Sequence, residues 1–317
     1  MKKILVLLLL FVSVYSIAQQ DAQYSNYNMN NFMINPAVAG SKVYLNAKVG
    51  MRHQWIGIKG SPKTQFASFH TPINHPTVLP KFRLRKIHHG AGLSLFSDEA
   101  GAFKHQSLLG SYALHMKINK SYTLSIGTSA GIKVFMIDNQ GLNPQQSTND
   151  ALISIGNLRK NLPDVNLGAW LYSDRFYAGI TGRQLFANDV PFNIPSLSAQ
   201  NLERHFFGTI GYKSDINKAW SFVPSSMVQI TPSAPIQVAF NNTFWYDGKF
   251  ALGLTYRHLD AVYLILDFVV FEALEIGYAF DMTFSGLSKY NTGTHEIILG
   301  YRWKNERKKY SCPSPIW

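Results

Sequence analysis

The sequence predicts an all-β protein: a transmembrane antiparallel β-barrel of fourteen strands with an N-terminal periplasmic or plug segment. Three observations predict it. Apolar residues alternate with small or polar ones over long runs; short turn-forming pairs join many of these runs; and the chain opens on an export signal. Composition agrees, since 46% of the 317 residues are hydrophobic and only 15% charged, with sixteen Tyr, twenty-one Phe and six Trp, types that favour strands. Such a composition excludes a disordered chain, and a single cysteine, Cys312, excludes an internal disulfide framework or a cysteine metal cluster.

Met1-Lys2-Lys3 is a short positive region, Ile4 to Val14 is almost wholly apolar, and Ser16-Ile17-Ala18 places small residues where a signal peptidase reads them. Residues 1–18 are therefore expected to be a signal peptide, cleaved after Ala18. The alternative is a retained anchor, but the apolar run falls short of the roughly 20 residues a spanning helix needs. The next most apolar run, Ala261 to Phe271, contains Asp267 and is flanked by Asp260 and Glu272, so it is expected to be a strand.

Residues 43–303 carry the barrel pattern. Tyr122, Leu124, Ile126, Thr128, Ala130, Ile132 and Val134 alternate with Thr123, Ser125, Gly127, Ser129, Gly131 and Lys133, which puts one set on each face of a strand. Phe250, Leu252, Leu254 and Tyr256 repeat the pattern, as do Ile236, Val238, Phe240 and Phe244. In order, strands are expected at 43–54, 63–72, 88–98, 105–118, 121–135, 164–173, 175–183, 204–214, 219–230, 235–247, 249–259, 261–270, 272–284 and 294–303. Asn119-Lys120, Ser173-Asp174, Asp247-Gly248 and Leu259-Asp260 supply hairpin chemistry between neighbours. Longer loops are expected at 74–87, 136–163, 184–203 and 285–293, with a short helix possible over 151–160. Short turns on one side and longer loops on the other are what an outer-membrane barrel shows.

The competing fold is an exported β-sandwich. Its outward faces need more charge than this chain supplies, and its strands are typically shorter, about 5–6 residues against the 9–11 of a tilted membrane-spanning strand. Tyr112, Tyr122, Trp170, Tyr172, Phe176, Tyr212, Trp245, Tyr246, Tyr278, Phe280, Tyr301 and Trp303 lie toward strand ends, as an interfacial aromatic girdle does. Gly92, Gly127, Gly131, Gly168, Gly179, Gly208, Gly253 and Gly277 are expected to face inward, relieving crowding or admitting a plug.

Motifs that carry chemistry are missing. There is no phosphate loop, no Gly-x-Ser-x-Gly elbow and no His-Glu-x-x-His pair. His88 and His89 are adjacent on a strand and point to opposite faces, while His70 and His75 flank Pro72 as loop residues, so no metal site is expected. No catalytic residue, cofactor or metal is assigned, and the protein is not expected to be an enzyme. Asp98-Glu99 and the basic set Lys81, Arg83, Arg85 and Lys86 are the clearest charge groups. The basic set suits lipid headgroups, an acidic partner or plain solvent. The net charge of +12 does not imply nucleic acid, because no binding module accompanies it.

Residues 19–42 break the alternation. They contain Gln23-Tyr24-Ser25 and Asn35-Pro36-Ala37-Val38-Ala39-Gly40-Ser41, whose Asn-Pro and Ala-Gly pairs favour turns. Arg52-His53-Gln54-Trp55-Ile56-Gly57 and Gly60-Ser61-Pro62-Lys63-Thr64-Gln65 continue the unusual pattern across the first hairpin. Together these motifs, the strands after them and the Cys312-Pro313 tail resemble the PorP/SprF family of outer-membrane proteins associated with the type IX secretion system of gliding and related Bacteroidetes.

That resemblance implies a non-enzymatic accessory of secretion or gliding machinery in the cell outer membrane, similar to fourteen-stranded fatty-acid-transporter-like barrels. Implied partners are outer-membrane lipid, a secreted surface protein bearing a C-terminal targeting domain, and periplasmic or outer-membrane components of the machine. The motif carries over to Asn35, Pro36, Ala37, Ala39, Gly40, Arg52, Trp55, Gly57, Gly60, Pro62 and Thr64. With Tyr24 these are the candidate plug or partner-docking residues. A small-molecule or fatty-acid-like transporter is the alternative. Residues 304–317 are expected to form a C-terminal tail.

Overall fold

The computed structural model describes residues 24–42, 44–73, 87–137, 158–187, 189–190, 200–232, 234–284 and 286–303. Fourteen long strands form one antiparallel sheet: β1 Leu45–His53, β2 Lys63–Ile73, β3 Ile87–Ala100, β4 Phe103–Lys117, β5 Thr123–Ile137, β6 Leu158–Tyr172, β7 Phe176–Arg183, β8 His205–Tyr212, β9 Trp220–Ile230, β10 Gln237–Tyr246, β11 Phe250–Arg257, β12 Ala261–Val270, β13 Leu274–Thr283 and β14 Thr294–Trp303. Each pairs with its neighbours in sequence, and β1 pairs with β14 from Leu45↔Trp303 to His53↔His295. The ring is closed. Among these fourteen strands none is left as an edge, which is the condition that hydrocarbon imposes.

The two faces of the sheet are opposite in character. Outward positions hold exposed apolar residues such as Leu95, Ile126, Ile180, Leu254 and Leu299, while the inward positions between them hold buried polar ones such as Asn46, Lys48, Ser125, Asn241 and Glu296. In β5 the small and polar set read from the sequence lies inside, with Thr123, Ser125 and Ser129 buried and Leu124, Ile126 and Ile132 outside. A sandwich in water would have the reverse arrangement, so the burial pattern selects the membrane barrel.

The hairpins form as their turn residues dictate. Asp247 and Gly248 take φ of 50° and 63°, the left-handed pair of a tight hairpin turn, closed by the Lys249 amide donating to the Tyr246 carbonyl. Asn119 Oδ1 accepts from the Ser121 and Tyr122 amides, both at 2.8 Å. Most connections at the mouth where β1 begins and β14 ends, here the terminal mouth, are short: 118–122, 173–175, 247–249 and 271–273. Connections 54–62 and 284–293 lie at the other, loop mouth, where β5 also ends and β6 begins.

Several expectations need correction. β2 ends and β3 begins at the terminal mouth, so the strands joined by the long 74–87 connection meet it on the short-turn side and the asymmetry is incomplete; residues 74–86, with the basic set, lie outside the described residues. Residues 158–160 are strand, held in register against 135–137, because pairing with β5 outweighs the local helical pattern; the remainder of 151–160 is outside the described residues. The 184–203 loop contains a two-residue ladder, Asp189↔Asn201 and Val190↔Gln200. Trp170 and Tyr172 point inward, 2% and 0% exposed, and so do not belong to the girdle. Trp245 also faces inward, sharing parity with buried Asn241 and Thr243. Most of the girdle that remains is at the terminal mouth, where Tyr122 packs near Phe176 and Tyr301 near Trp303, while Phe280 lies near the loop mouth against His295.

Candidate functional site

The interior of the ring is occupied by residues 24–42 of the same chain. A single turn of helix, Asn31–Ile34, and a 3-10 turn, Pro36–Val38, give this segment its shape. Asn35 organises the junction: its Oδ1 accepts the Ala37 amide at 2.9 Å, and its Nδ2 donates to the Ala169 and Ile180 carbonyls of β6 and β7. One side chain therefore caps the turn and ties it to two strands, which requires both the acceptor and the donor of an amide.

Residues 37–40 run past β2 to β5. Ser125 Oγ donates to the Ala37 carbonyl at 2.7 Å. His115 Nε2 donates to the Ala39 carbonyl at 2.7 Å, while its Nδ1 lies 3.1 Å from the Tyr172 hydroxyl, an arrangement that fixes the tautomer. The Gly40 amide donates to His70 Nδ1, and His88, stacked on His115 at 4.3 Å, donates to the Gly40 carbonyl. Gly40 has φ of +76°, and a Cβ there would meet Gly90 Cα at 2.5 Å. Glycine is needed here on both counts.

Residues 24–29 run along the other half of the ring. Tyr24 packs edge-on against Phe66 at 5.4 Å. Glu296 accepts the Ser25 and Asn26 amides at 2.9 and 3.0 Å, and Ser25 Oγ donates to Asp281 at 2.6 Å. Arg52 lies between these carboxylates, 3.0 Å from Asp281 and 3.6 Å from Glu296, with all three side chains almost fully buried. Asn26 Nδ2 donates to Asp267 at 2.7 Å, and Asn28 Nδ2 donates to Ser225 and Asn241 on β9 and β10. Lys48 donates to the Met29 carbonyl.

Inward glycines make room for this segment. A Cβ on Gly127 would meet Ala37 Cα at 2.5 Å, and one on Gly277 would meet Met29 Sδ at 2.6 Å; Gly92 and Gly168 face Phe32 and Asn35 in the same way. Gly131 and Gly253 are crowded by neighbouring strands instead. Gly208 corrects the expectation: its parity in β8 is outward, and nothing lies within 4 Å of its added Cβ. Gly127→Ala is accordingly expected to destabilise the protein by about 1–3 kcal/mol through overpacking, with Gly208→Ala close to neutral, as measured by urea unfolding of the reconstituted barrel.

The predicted site residues thus divide into two groups. Tyr24, Asn35, Pro36, Ala37, Ala39, Gly40, Arg52 and Thr64 are buried inside the ring, Thr64 donating to Asp98 at 2.6 Å. Trp55, Gly57, Gly60 and Pro62 form the first connection at the loop mouth. There Trp55, Gly57 and Gly60 take positive φ, the Gln54 amide donates to the Pro62 carbonyl, and the Gly101 amide donates to the Gly60 carbonyl. The Ile56 amide donates to the Gly293 carbonyl, joining this connection to the one before β14.

The histidines are what the sequence reading missed. His88 and His89 do point to opposite faces, but His70, inside the strand expected at 63–72, is an inward residue of β2 rather than a loop residue. Their inward parity with Ser68 and Gly90 was the available signal. His75 lies outside the described residues. Among the described residues no group of three or more His, Cys, Asp or Glu is placed to hold a metal ion.

Comparison with known proteins follows the same lines. Residues 16–301 match the family described as "Type IX secretion system membrane protein PorP/SprF". None of the curated proteins matches. Among solved structures, a FadL homologue of Pseudomonas aeruginosa is similar at 10% identity, covering 85% of this chain and 92% of that one, with a TM-score of 0.50. The toluene transporter TodX of Pseudomonas putida has 9% identity over 89% of this chain and 94% of that one, with a TM-score of 0.47. At such identity the FadL homologue shares the barrel fold and nothing more is implied.

Proposed function

The chain belongs to the PorP/SprF family of type IX secretion system membrane proteins, and from that premise we propose that its barrel is a closed protein-binding platform that exports or anchors a secreted partner at the cell surface. Its place in the outer membrane and its non-enzymatic accessory role in type IX secretion come with the family. The partner we have in mind is a surface protein with a C-terminal targeting domain, held by the connections at the loop mouth. Periplasmic components of the secretion or gliding machine would be met at the terminal mouth. No nucleotide-binding motif is present in the sequence, so the work of export is supplied from elsewhere.

One observation carries this reading: residues 24–42 are hydrogen-bonded to inward side chains or backbone of β2 to β7, β9, β10 and β12 to β14, so the lumen is filled by the chain itself. A small-molecule or fatty-acid-like transporter needs a continuous path, and the filled interior weighs against it. The test is purification from the native envelope in mild detergent, with identification of the proteins that remain bound. Retention of an exported protein carrying a C-terminal targeting domain is expected; a barrel that retains none and shows solute-dependent uptake would overturn the proposal.

A further inference from the structure

Four strands project from the barrel. β3 to β6 are 14 or 15 residues long and the other ten 8 to 11, and the pairing registers show where the surplus goes. The row of paired residues that leaves Lys117, at the terminal end of β4, passes through Tyr172, Ser225 and Tyr263 and arrives at Thr294, the loop end of β14. Rows therefore climb toward the loop mouth in strand order, as strand tilt requires. The row from His53, where β1 ends, runs through Lys63, Glu99, Lys104 and Met136 to Arg159. By the same climb, Lys104 and Arg159 stand beyond the rim that β1 sets.

The outward face changes character on the way up. An open recess of about 650 Å³ crosses it from β2 to β6. Its lower row is Ala67, Leu95, Leu108 and Ile132; the next is Gln65, Ser97, Gln106, Val134 and Asn161; and Arg159 stands above them. Phe66, Phe96 and Ser107 complete the lining, with their side chains turned to the lumen. An apolar row, a mostly polar row and a charged row follow the order of hydrocarbon, boundary and headgroup, since outward charges are tolerated only near or past the interface. The charged row is cationic. Lys63, Lys104 and Arg159 share one carboxylate, Glu99, which lies 3.8 Å from Lys104. Arg159 is exposed and has no ion pair or hydrogen bond among the described residues.

We infer that this recess binds one phosphate-bearing lipid of the outer leaflet, with an acyl chain over Leu95, Leu108 and Ile132 and the phosphate on Arg159. The guanidinium presents a planar pair of donors that matches phosphate oxygens. Lys104, roughly 10 Å away across β5, adds charge, and the amides of Gln106 and Asn161 supply further donors. The volume falls in the range of ligand sites, about 300–1,000 Å³. A free phosphate has no use for the apolar row, and a protein docking from above the membrane does not reach it. The inference is independent of the platform proposed above.

The experiment uses the full-length barrel in a nonionic detergent, with native mass spectrometry as the readout. Three probes are titrated: dimyristoyl phosphatidic acid; dimyristoyl glycerol, with the same chains and no phosphate; and glycerol 3-phosphate, with no chains. Phosphatidic acid is expected to form a one-to-one adduct at least about tenfold tighter than either of the others. The double variant Lys104→Gln, Arg159→Gln is expected to weaken that adduct about tenfold. Lys249→Gln, which removes an exposed cation at the terminal mouth, is expected to leave it unchanged. Heat-modifiable gel mobility first confirms that each variant is folded. Glycerol 3-phosphate binding as tightly as phosphatidic acid would indicate a free-phosphate site, and an equal loss in Lys249→Gln would indicate general charge attraction; either overturns the inference. So does a folded double variant that binds phosphatidic acid normally, and if that variant also loses a co-purified exported protein, the recess is a protein-docking surface instead.

Discussion

Arg52→Met is expected to lower the unfolding free energy by about 3–5 kcal/mol, the range for breaking a buried ion pair from one side. The reason lies in what the guanidinium holds together. Arg52 on β1 reaches Asp281 on β13 and Glu296 on β14, and its Nε donates to Ser25 Oγ at 3.1 Å, so one side chain joins three strands to the N-terminal segment. With a thioether in its place, two carboxylates stay buried side by side with their countercharge gone. Glu296 keeps the amides of Ser25 and Asn26, but neither carries a formal charge. The triple variant Arg52→Met, Asp281→Asn, Glu296→Gln removes the charges together and is expected to recover most of the loss, since a neutral cluster keeps hydrogen-bonding capacity without the desolvation penalty of ions. Urea unfolding in liposomes, followed by heat-modifiable gel mobility, measures all three proteins. A single variant within about 0.5 kcal/mol of the parent would mean that water already screens this cluster.

Most of the barrel was legible in the sequence, for a reason that limits what else was. A spanning strand must show one face to hydrocarbon and the other to the interior, so Leu124, Ile126 and Ile132 alternate visibly with Thr123, Ser125 and Ser129. Each of the fourteen expected strands is present. Boundaries failed where pairing decides the matter: nothing in Leu158, Arg159 and Lys160 reads as strand until β5 is beside them. Aromatic side chains failed for a related reason. Nearness to a strand end points Trp170 to the girdle, but its parity turns it inward, where it stacks on Tyr177 at 4.8 Å.

The interior site was legible in part. Asn35-Pro36-Ala37 and Ala39-Gly40 stand out because a turn must form in a confined space, and Gly40 with Gly90 shows how confined it is. Their partners do not stand out. Ser125, His115 and His70 read as ordinary polar positions of an inward face, and only the closed ring brings residues from β2, β4 and β5 against one four-residue stretch. The acidic side of the cluster is hidden in the same way. Asp267, Glu275, Asp281 and Glu296 are spread along three strands, and in sequence they look like scattered charges in an apolar region.

Deleting residues 21–34 is expected to open the barrel. The deletion removes every contact of residues 24–29 with β9, β10 and β12 to β14, while Asn35, Ala37, Ala39 and Gly40 still hold the turn against the opposite wall. Half of the interior would then lose its packing and admit water, because the charged and polar Arg52, Asp267, Asn241 and Glu296 are left uncovered beside the apolar Phe66, Met227 and Ile298. Saccharide flux into proteoliposomes should rise at least about tenfold over the full-length protein, toward the behaviour of a water-filled barrel. Extending the deletion to residue 40 should raise it further, since the turn spanning β2 to β7 goes as well. The barrel itself should survive, because strand pairing and the outward apolar band are untouched, and heat-modifiable mobility reports that directly. Flux that stays at background in a correctly inserted deletion would show that strand packing alone closes the lumen. Residues 24–42 would then be a docking element for another protein, with no role in sealing the membrane.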